Sequence, residues 1–293
     1  MLKEDFMKYL RYEKNYSTHT EISYLNDLTQ FQEFVESKNN ELKLEEVDAD
    51  LIRIWISQLV EQGFKASSIN RKLSTLKMFF LFLQKKGVVE INPAGYIRSL
   101  KTKHNLPSFV QHSDMVEILA PSSLKETFEE KRNIFLIEVL YTTGIRREEL
   151  ISLKDQDLDL STNTLIVHGK GNKDRAIPIS DKTKHHFLEY LNLRDEKIKD
   201  RAPYIFVRKN GKKMYTGLVY NIVNRYLSNI KTLSTKSPHV LRHSFATVML
   251  NNGAEINAIK ELLGHVSLSS TQIYTHVTFK ELKKIYDNAH PRA

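Results

Sequence analysis

The chain has 293 residues, enough for two ordinary domains at roughly 100–200 residues each. It contains no cysteine, which excludes a disulfide framework, a thiolate nucleophile and any Cys-ligated zinc or iron–sulfur centre. Lys and Arg number 44 against 35 Asp and Glu, a net charge of +9, and a 41% hydrophobic content with 7 Pro and 10 Gly excludes a disordered or collagen-like chain.

The charge is unevenly placed. Residues 1–50 carry 6 basic and 12 acidic side chains, residues 51–104 carry 10 and 2, and the remainder 28 and 21. Such a contrast gives the molecule faces with different electrostatic roles, one of them suited to a polyanion. The greasiest internal run, Met78 to Leu83, is far shorter than the ~20 residues a bilayer span needs. No signal-like apolar stretch follows Met1. A cytoplasmic protein without membrane insertion is expected.

In chain order, the first hundred residues read as all helical. Beyond Ser17, apolar Ile22, Leu25, Leu28, Phe31 and Phe34 recur at three-residue steps, and Thr18 with Glu21 has capping-box spacing. Asp48 is placed to cap a second helix with Leu51, Ile52, Trp55, Ile56 and Leu59 inward and Gly63 as its stop. Ser67 or Ser68 is a candidate cap for a third, which buries Ile69, Leu73, Leu76, Phe79, Phe80 and Leu83 and ends before Gly87. Lys65, Arg71, Lys72 and Lys77 decorate that helix and its approach, which makes them candidate DNA-contacting residues. Asn92-Pro93 ends the helical pattern, and the polar run that follows reads as a linker. The expected division is a helical domain over 1–98, a linker over 99–107 and a second domain over 108–293.

The second segment is mixed. Ser113 is a candidate cap for a short helix, and a longer one is expected from about Lys125 to Gly144. Thr164 to His168 and Ala176 to Ile179 are strand-like and flank a Gly169-Lys-Gly-Asn-Lys-Asp174 turn, which reads as a hairpin. Lys170 and Lys173 sit in that turn and Arg175 follows it, which makes Lys173 and Arg175 further candidate DNA-contacting residues. Helical patterns return at 181–198, 217–230, 239–251, 255–263 and 279–288. The fold class expected is therefore two-domain: an all-α domain, then a mainly α domain with a small antiparallel β element.

Several constellations carry chemistry. Gly144 permits a left-handed turn after a helix, and Arg146 follows where its guanidinium fork can meet a phosphate. Ser237 and Pro238 suit the start of a helix on which His239 and Arg242, three apart, share a face near the anion-favouring N-terminus. The His239–His243 spacing suits zinc, but no neighbouring carboxylate completes a site, so no metal is expected. Leu262-Leu-Gly-His265 ends another helix, and Tyr274 follows nine residues on. A tyrosine phenol, with a reference pKa near 10, is a weak nucleophile unless it is set against an activated electrophile.

These elements together resemble the tyrosine recombinases, the phage-integrase family, and more closely their bacterial Xer branch. Thr143-Gly-Ile-Arg146, Gly169-Lys-Gly171, His239-Val-Leu-Arg242, Leu262-Leu-Gly-His265 and Tyr274 occur in family order. Tyr16-Ser-Thr-His-Thr20 and Ile69-Asn-Arg-Lys-Leu73 are similar to that branch's amino-terminal core-binding domain, and His290-Pro-Arg-Ala293 to its carboxyl end. The resemblance implies catalytic roles for Arg146, Lys170, His239, Arg242 and His265, with Tyr274 as nucleophile. It implies strand exchange on double-stranded DNA through a 3′-phosphotyrosyl intermediate, with no cofactor. It further implies a tetrameric synapse of this chain with itself or a paralogue, and an FtsK-type translocase as a partner. Chromosome-dimer resolution is the role expected, and integration or transposition of a mobile element the alternative. A helix over Phe279 to Tyr286 would pack into a neighbouring subunit or fold back on its own domain.

Overall fold

The structure is a computed structural model that describes residues 2–102, 109–120, 127–169, 174–264 and 279–290, with the backbone alone at His19, Phe279 and Lys280. The chain divides into two compact units, Met1–Asn105 and Leu106–Ala293. The fold class expected from the sequence holds: a helical unit, then a mainly helical unit with a small antiparallel sheet.

In the first unit α1 (Leu2–Lys8) runs into a wider π-type turn over Tyr9–Glu13, followed by α2 (Thr18–Lys38), α3 (Ala49–Glu61) and α4 (Ala66–Lys85). Asp48 caps α3 as expected, its carboxylate accepting the Leu51 N–H at 2.8 Å. The core is aromatic: Phe6, Phe31, Phe79 and Phe80 are fully buried, and Trp55 packs on Phe31 with ring centroids 4.8 Å apart. Burying each such side chain contributes roughly 1.5–3 kcal/mol.

Three local expectations are corrected here. On α2, Ile22 and Leu25 are exposed at 51% and 40%, whereas Leu28, Phe31, Phe34 and Val35 are buried. A strict step of three drifts about 60° per step on a 3.6-residue helix, so the start of the run leaves the core face. Glu21 does not close a capping box but receives Arg11, whose Nη2 lies 2.6 Å from its carboxylate. Helix α4 begins at Ala66 after Lys65, so Ser67 and Ser68 lie inside its first turn. Asn70 on α4 exchanges two hydrogen bonds with the backbone of Leu100, at 2.8 and 2.9 Å.

The second unit contains α5 (His112–Ile118), α6 (Phe128–Thr143), α7 (Arg147–Leu150), α8 (Asp181–Lys197), α9 (Thr216–Leu227), α10 (Pro238–Asn251), α11 (Ile256–Leu263) and α12 (Phe279–Ala289). Ser113 is the second residue of α5, which starts after Gln111. Thr127 caps α6 with Glu130 in a full capping box. The sheet has order β1-β2-β3, from β1 (Leu158–Asp159), β2 (Thr164–His168) and β3 (Asp174–Pro178), all antiparallel. The hairpin pairs Thr164 with Pro178 and His168 with Asp174. Phe135, Phe187, Tyr190 and Phe206 pack one another across α6 and α8 in the core.

Helix α12 folds back on its own unit. Leu282, Tyr286 and Ala289 are buried, and the Tyr286 hydroxyl donates to the Thr142 carbonyl at 3.1 Å. His290, just beyond it, stacks on Tyr286 with centroids 5.0 Å apart. Among the described residues no helix is long and apolar enough to cross a membrane.

Candidate active site

The site is built on two helix ends. Helix α6 stops at Gly144, whose φ of +62° is the left-handed conformation glycine adopts freely. A Cβ there would lie 2.7 Å from both Leu263 and Phe245, so the position has neither the backbone freedom nor the room for a side chain. Helix α11 stops in the same way at Gly264, φ +64°. The last carbonyls of a helix have no partner within it and carry the negative end of its dipole, so they attract cations.

Three arginines take successive carbonyls at the end of α11. Arg175 Nε donates to the Leu262 carbonyl at 2.7 Å, Arg242 Nη2 to that of Leu263 at 2.6 Å, and Arg146 Nη2 to that of Gly264 at 3.4 Å. Arg242, on the second turn of α10, also donates through Nη1 to the Gly144 carbonyl at 2.7 Å, which ties the two helix ends together. Burial lowers the Arg242 pKa to about 10, and the nearby Arg146 charge adds to the effect; it remains cationic at neutral pH.

One buried carboxylate lies among these cations. Glu149, three residues after Arg146, accepts the Arg146 backbone N–H at 2.8 Å and the Arg146 Nη1 at 2.8 Å. It also accepts Arg175 through both oxygens, at 3.1 and 2.7 Å. Burial alone would push the Glu149 carboxyl up, but hydrogen bonds from Arg175 and from the Arg146 backbone hold it below the usual carboxylate range. Three guanidiniums and one carboxylate leave a local excess of two positive charges. Such a cluster, with Arg146 still 38% exposed, is suited to an anion with several oxygens.

His239 is exposed on the first turn of α10, one turn before the buried Arg242. Ser237 occupies the N-cap position, but its hydroxyl makes no capping bond. His243 is half-buried beside Thr247, and Arg147 pairs with Glu148 at 2.7 Å. Lys170, Lys173, His265 and Tyr274 lie outside the described residues. Among the described residues no group of three or more His, Asp or Glu could hold a metal ion.

Two of the expected DNA contacts are engaged inside the fold. Lys72 is 3% exposed, its ammonium 3.0 Å from the buried Asp27 carboxylate and also bonded to Gln30, so its charge is used inside the first unit. Arg175 has a side chain 10% exposed and is taken up by Glu149 and Leu262. Lys65 is exposed and Lys77 half-buried; Arg71 is 46% exposed and paired with Asp27. The sequence reading passed over Glu149. Its signal was present, because an acidic side chain three residues into a helix commonly returns to the cap N–H.

Comparison with known proteins agrees with this architecture. Residues 108–281 match the phage integrase family, and residues 4–87 match the phage integrase N-terminal SAM-like domain. The chain is 38% identical to the tyrosine recombinase XerC of Thermodesulfovibrio yellowstonii, over 98% of this chain and 95% of that one. It is 35% identical to the tyrosine recombinase XerC of Listeria innocua, over 100% of this chain and 98% of that one. The integrase of the transposon Tn1549, solved in complex with transposon right end DNA, shares the fold with a TM-score of 0.73 at 20% identity, over 98% of both chains. The chain thus belongs to the phage integrase family and is an Xer-like tyrosine recombinase, an enzyme that cuts and rejoins DNA at specific sites.

Proposed function

We propose that the chain performs Xer-type strand exchange between two DNA duplexes in the cytoplasm, in the resolution of chromosome dimers, with Tyr274 as the nucleophile. The observation that carries the reading is the meeting of Arg146 and Arg242, 96 positions apart in sequence, on adjacent carbonyls of one helix end. Two guanidiniums so held are preorganised for the non-bridging oxygens of a phosphodiester, where charge grows as phosphorus becomes five-coordinate.

The phenol oxygen of Tyr274 attacks that phosphorus, a 3′-phosphotyrosyl bond forms, and the bond to the 5′-oxygen breaks. The phenol proton passes to His239, and Lys170 protonates the departing 5′-oxygen, which would otherwise leave as a poor alkoxide. His265 adds a hydrogen bond to the phosphate. Attack by a 5′-hydroxyl of the second duplex reverses the step and frees the tyrosine. The phosphotyrosyl bond conserves the energy of the phosphodiester, so the balance closes without a nucleotide. Exchange between two duplexes calls for four protomers, this chain alone or with a paralogue, and a DNA translocase of the FtsK type to bring the sites together. Phosphate contacts from the basic surfaces supply most of the affinity, which falls steeply with salt.

A duplex nicked near the attack point tests the reading, because the short 5′-fragment diffuses away and traps the covalent adduct. Wild type is expected to accumulate adduct, and Tyr274→Phe to bind DNA equally well and form none. An adduct that persists in Tyr274→Phe places the nucleophile elsewhere. Mapping the trapped adducts across the genome separates the two biological roles: a single chromosomal locus supports dimer resolution, and the ends of an element support integration.

A further inference from the structure

Arg175 has no task in the reaction as proposed, yet its side chain makes three hydrogen bonds in the site, against two each for those of Arg146 and Arg242. Its three bonded nitrogens join three separate segments. From β3, Nε reaches the Leu262 carbonyl at 2.7 Å on α11, while Nη1 and Nη2 reach the two Glu149 oxygens at 3.1 and 2.7 Å on α7. The same guanidinium packs under Gly264, where a Cβ would come within 3.1 Å of Nη1. A lysine has the charge but not the planar fork needed to span these acceptors.

The count of bonds at Glu149 explains why the strut matters. A carboxylate has about four lone-pair positions. Here two are filled by Arg146, from its backbone N–H and Nη1, and two by Arg175. Without Arg175, Glu149 would neutralise Arg146 one-to-one and have two open positions aimed at any phosphate nearby. With it, the carboxylate is shared, and Arg146 keeps positive charge for an anion.

We infer that Arg175 is a positioning residue: it binds no DNA and orders Arg146 through Glu149 while pinning the end of α11, on which Arg242 also rests. The inference takes from the proposed function only that Arg146 meets the scissile phosphate. Arg175 is also the second residue of β3, so the strut fixes the start of that strand.

Arg175→Lys and Arg175→Ala in the full chain test this, with single-turnover cleavage at saturating nicked duplex, DNA affinity across a salt series, and amide exchange without DNA. Both variants are expected to cleave about 100-fold more slowly, the scale of a displacement of about 1 Å at a reacting centre. Affinity and its salt slope should stay at the wild-type values. The Arg146 amide, held by Glu149, should exchange about tenfold faster over and above any change in the core amides of α6, as a local opening does. A salt slope reduced by about one, with cleavage at saturation retained, makes Arg175 a phosphate contact and overturns the inference. So does a Lys variant that cleaves and exchanges like wild type, because charge alone would then suffice. If the intact chain traps no adduct on any duplex, the recombinase reading fails, while the Arg146 amide still decides the question of the strut.

Discussion

Asp27 in the first unit and Glu149 in the second are both buried carboxylates that gather two basic side chains, and both clusters sum to one positive charge. Their construction differs. Asp27 takes Arg71, Lys72 and the Thr75 hydroxyl from consecutive turns of α4, so the cluster clamps α2 to α4. Its buried partner is enclosed: the Lys72 ammonium lies 5.7 Å from the Phe64 ring centroid and 6.0 Å from that of Trp55. Glu149 instead takes Arg146 and Arg175 from segments 29 positions apart, and each of those arginines also holds a carbonyl at the end of α11. The first cluster encloses its charge within a helix pair; the second leaves charge at an opening. Counting charges does not separate a structural pair from a functional one. What separates them is where the remaining hydrogen-bonding capacity points.

The contrast is broken most severely at Asp27. Asp27→Ala leaves the Lys72 ammonium buried without its counter-charge, and losing one partner of such a pair costs about 3–5 kcal/mol. Urea unfolding should show that loss, and cleavage by the molecules still folded should be unchanged at saturating DNA. A loss below about 1 kcal/mol, as for an exposed pair, would show that water reaches Lys72 and that the cluster is not closed.

Glu149→Gln should give the opposite pattern. The amide keeps the shape and loses charge-assisted bonds, with an expected cost of about 1.5–3 kcal/mol. Cleavage at saturating DNA should drop well beyond what the fraction unfolded explains, since Arg146 loses its anchor. If activity followed stability alone, the two carboxylates would be equivalent and the comparison would collapse.

Much of this was legible from residue order, and the limits have physical reasons. The helix stops at Gly144 and Gly264 were readable because a left-handed C-terminal residue is a local requirement; Arg146 was readable from its place after the first stop, and Arg242 from its three-residue spacing with His239 near a helix start. Arg175 reads from the sequence as a solvated basic residue after a glycine turn, whereas its partner Glu149 lies 26 positions away. Lys72 likewise reads as part of a solvated basic face, whereas its carboxylate lies 45 positions back on another helix. Pairings of this kind are made by the tertiary fold and leave no spacing signature. The start of α4 was placed late because serines signal a cap, whereas here Lys65 holds the position with no side-chain cap bond. Strand β1, two residues long, is too short to show alternation.

A third cluster, shallower than the other two, extends the comparison to pH. His168 stands opposite Asp174 at the end of the β2–β3 ladder where β2 leaves it, with Nδ1 2.8 Å from Asp174 and Nε2 3.2 Å from the buried Asp157. The Asp157 carboxylate also accepts the Lys154 N–H at 2.8 Å. Hydrogen bonding to Asp174, then to Asp157, raises the His168 pKa above its usual 6.5. A group whose pKa is raised by folding contributes stability that is fully present below the unfolded value and lost as pH rises through the folded one. The hairpin should therefore show higher amide protection factors at pH 6 than at pH 8.5, with the change largest near His168 and Asp174. The effect should be the smallest of those predicted, because the imidazole is 53% exposed and solvent screens it. His168→Gln should flatten the dependence. A variant that keeps the full pH response would assign it to another titrating group, and His168 would then add nothing to the backbone ladder at that end of the sheet.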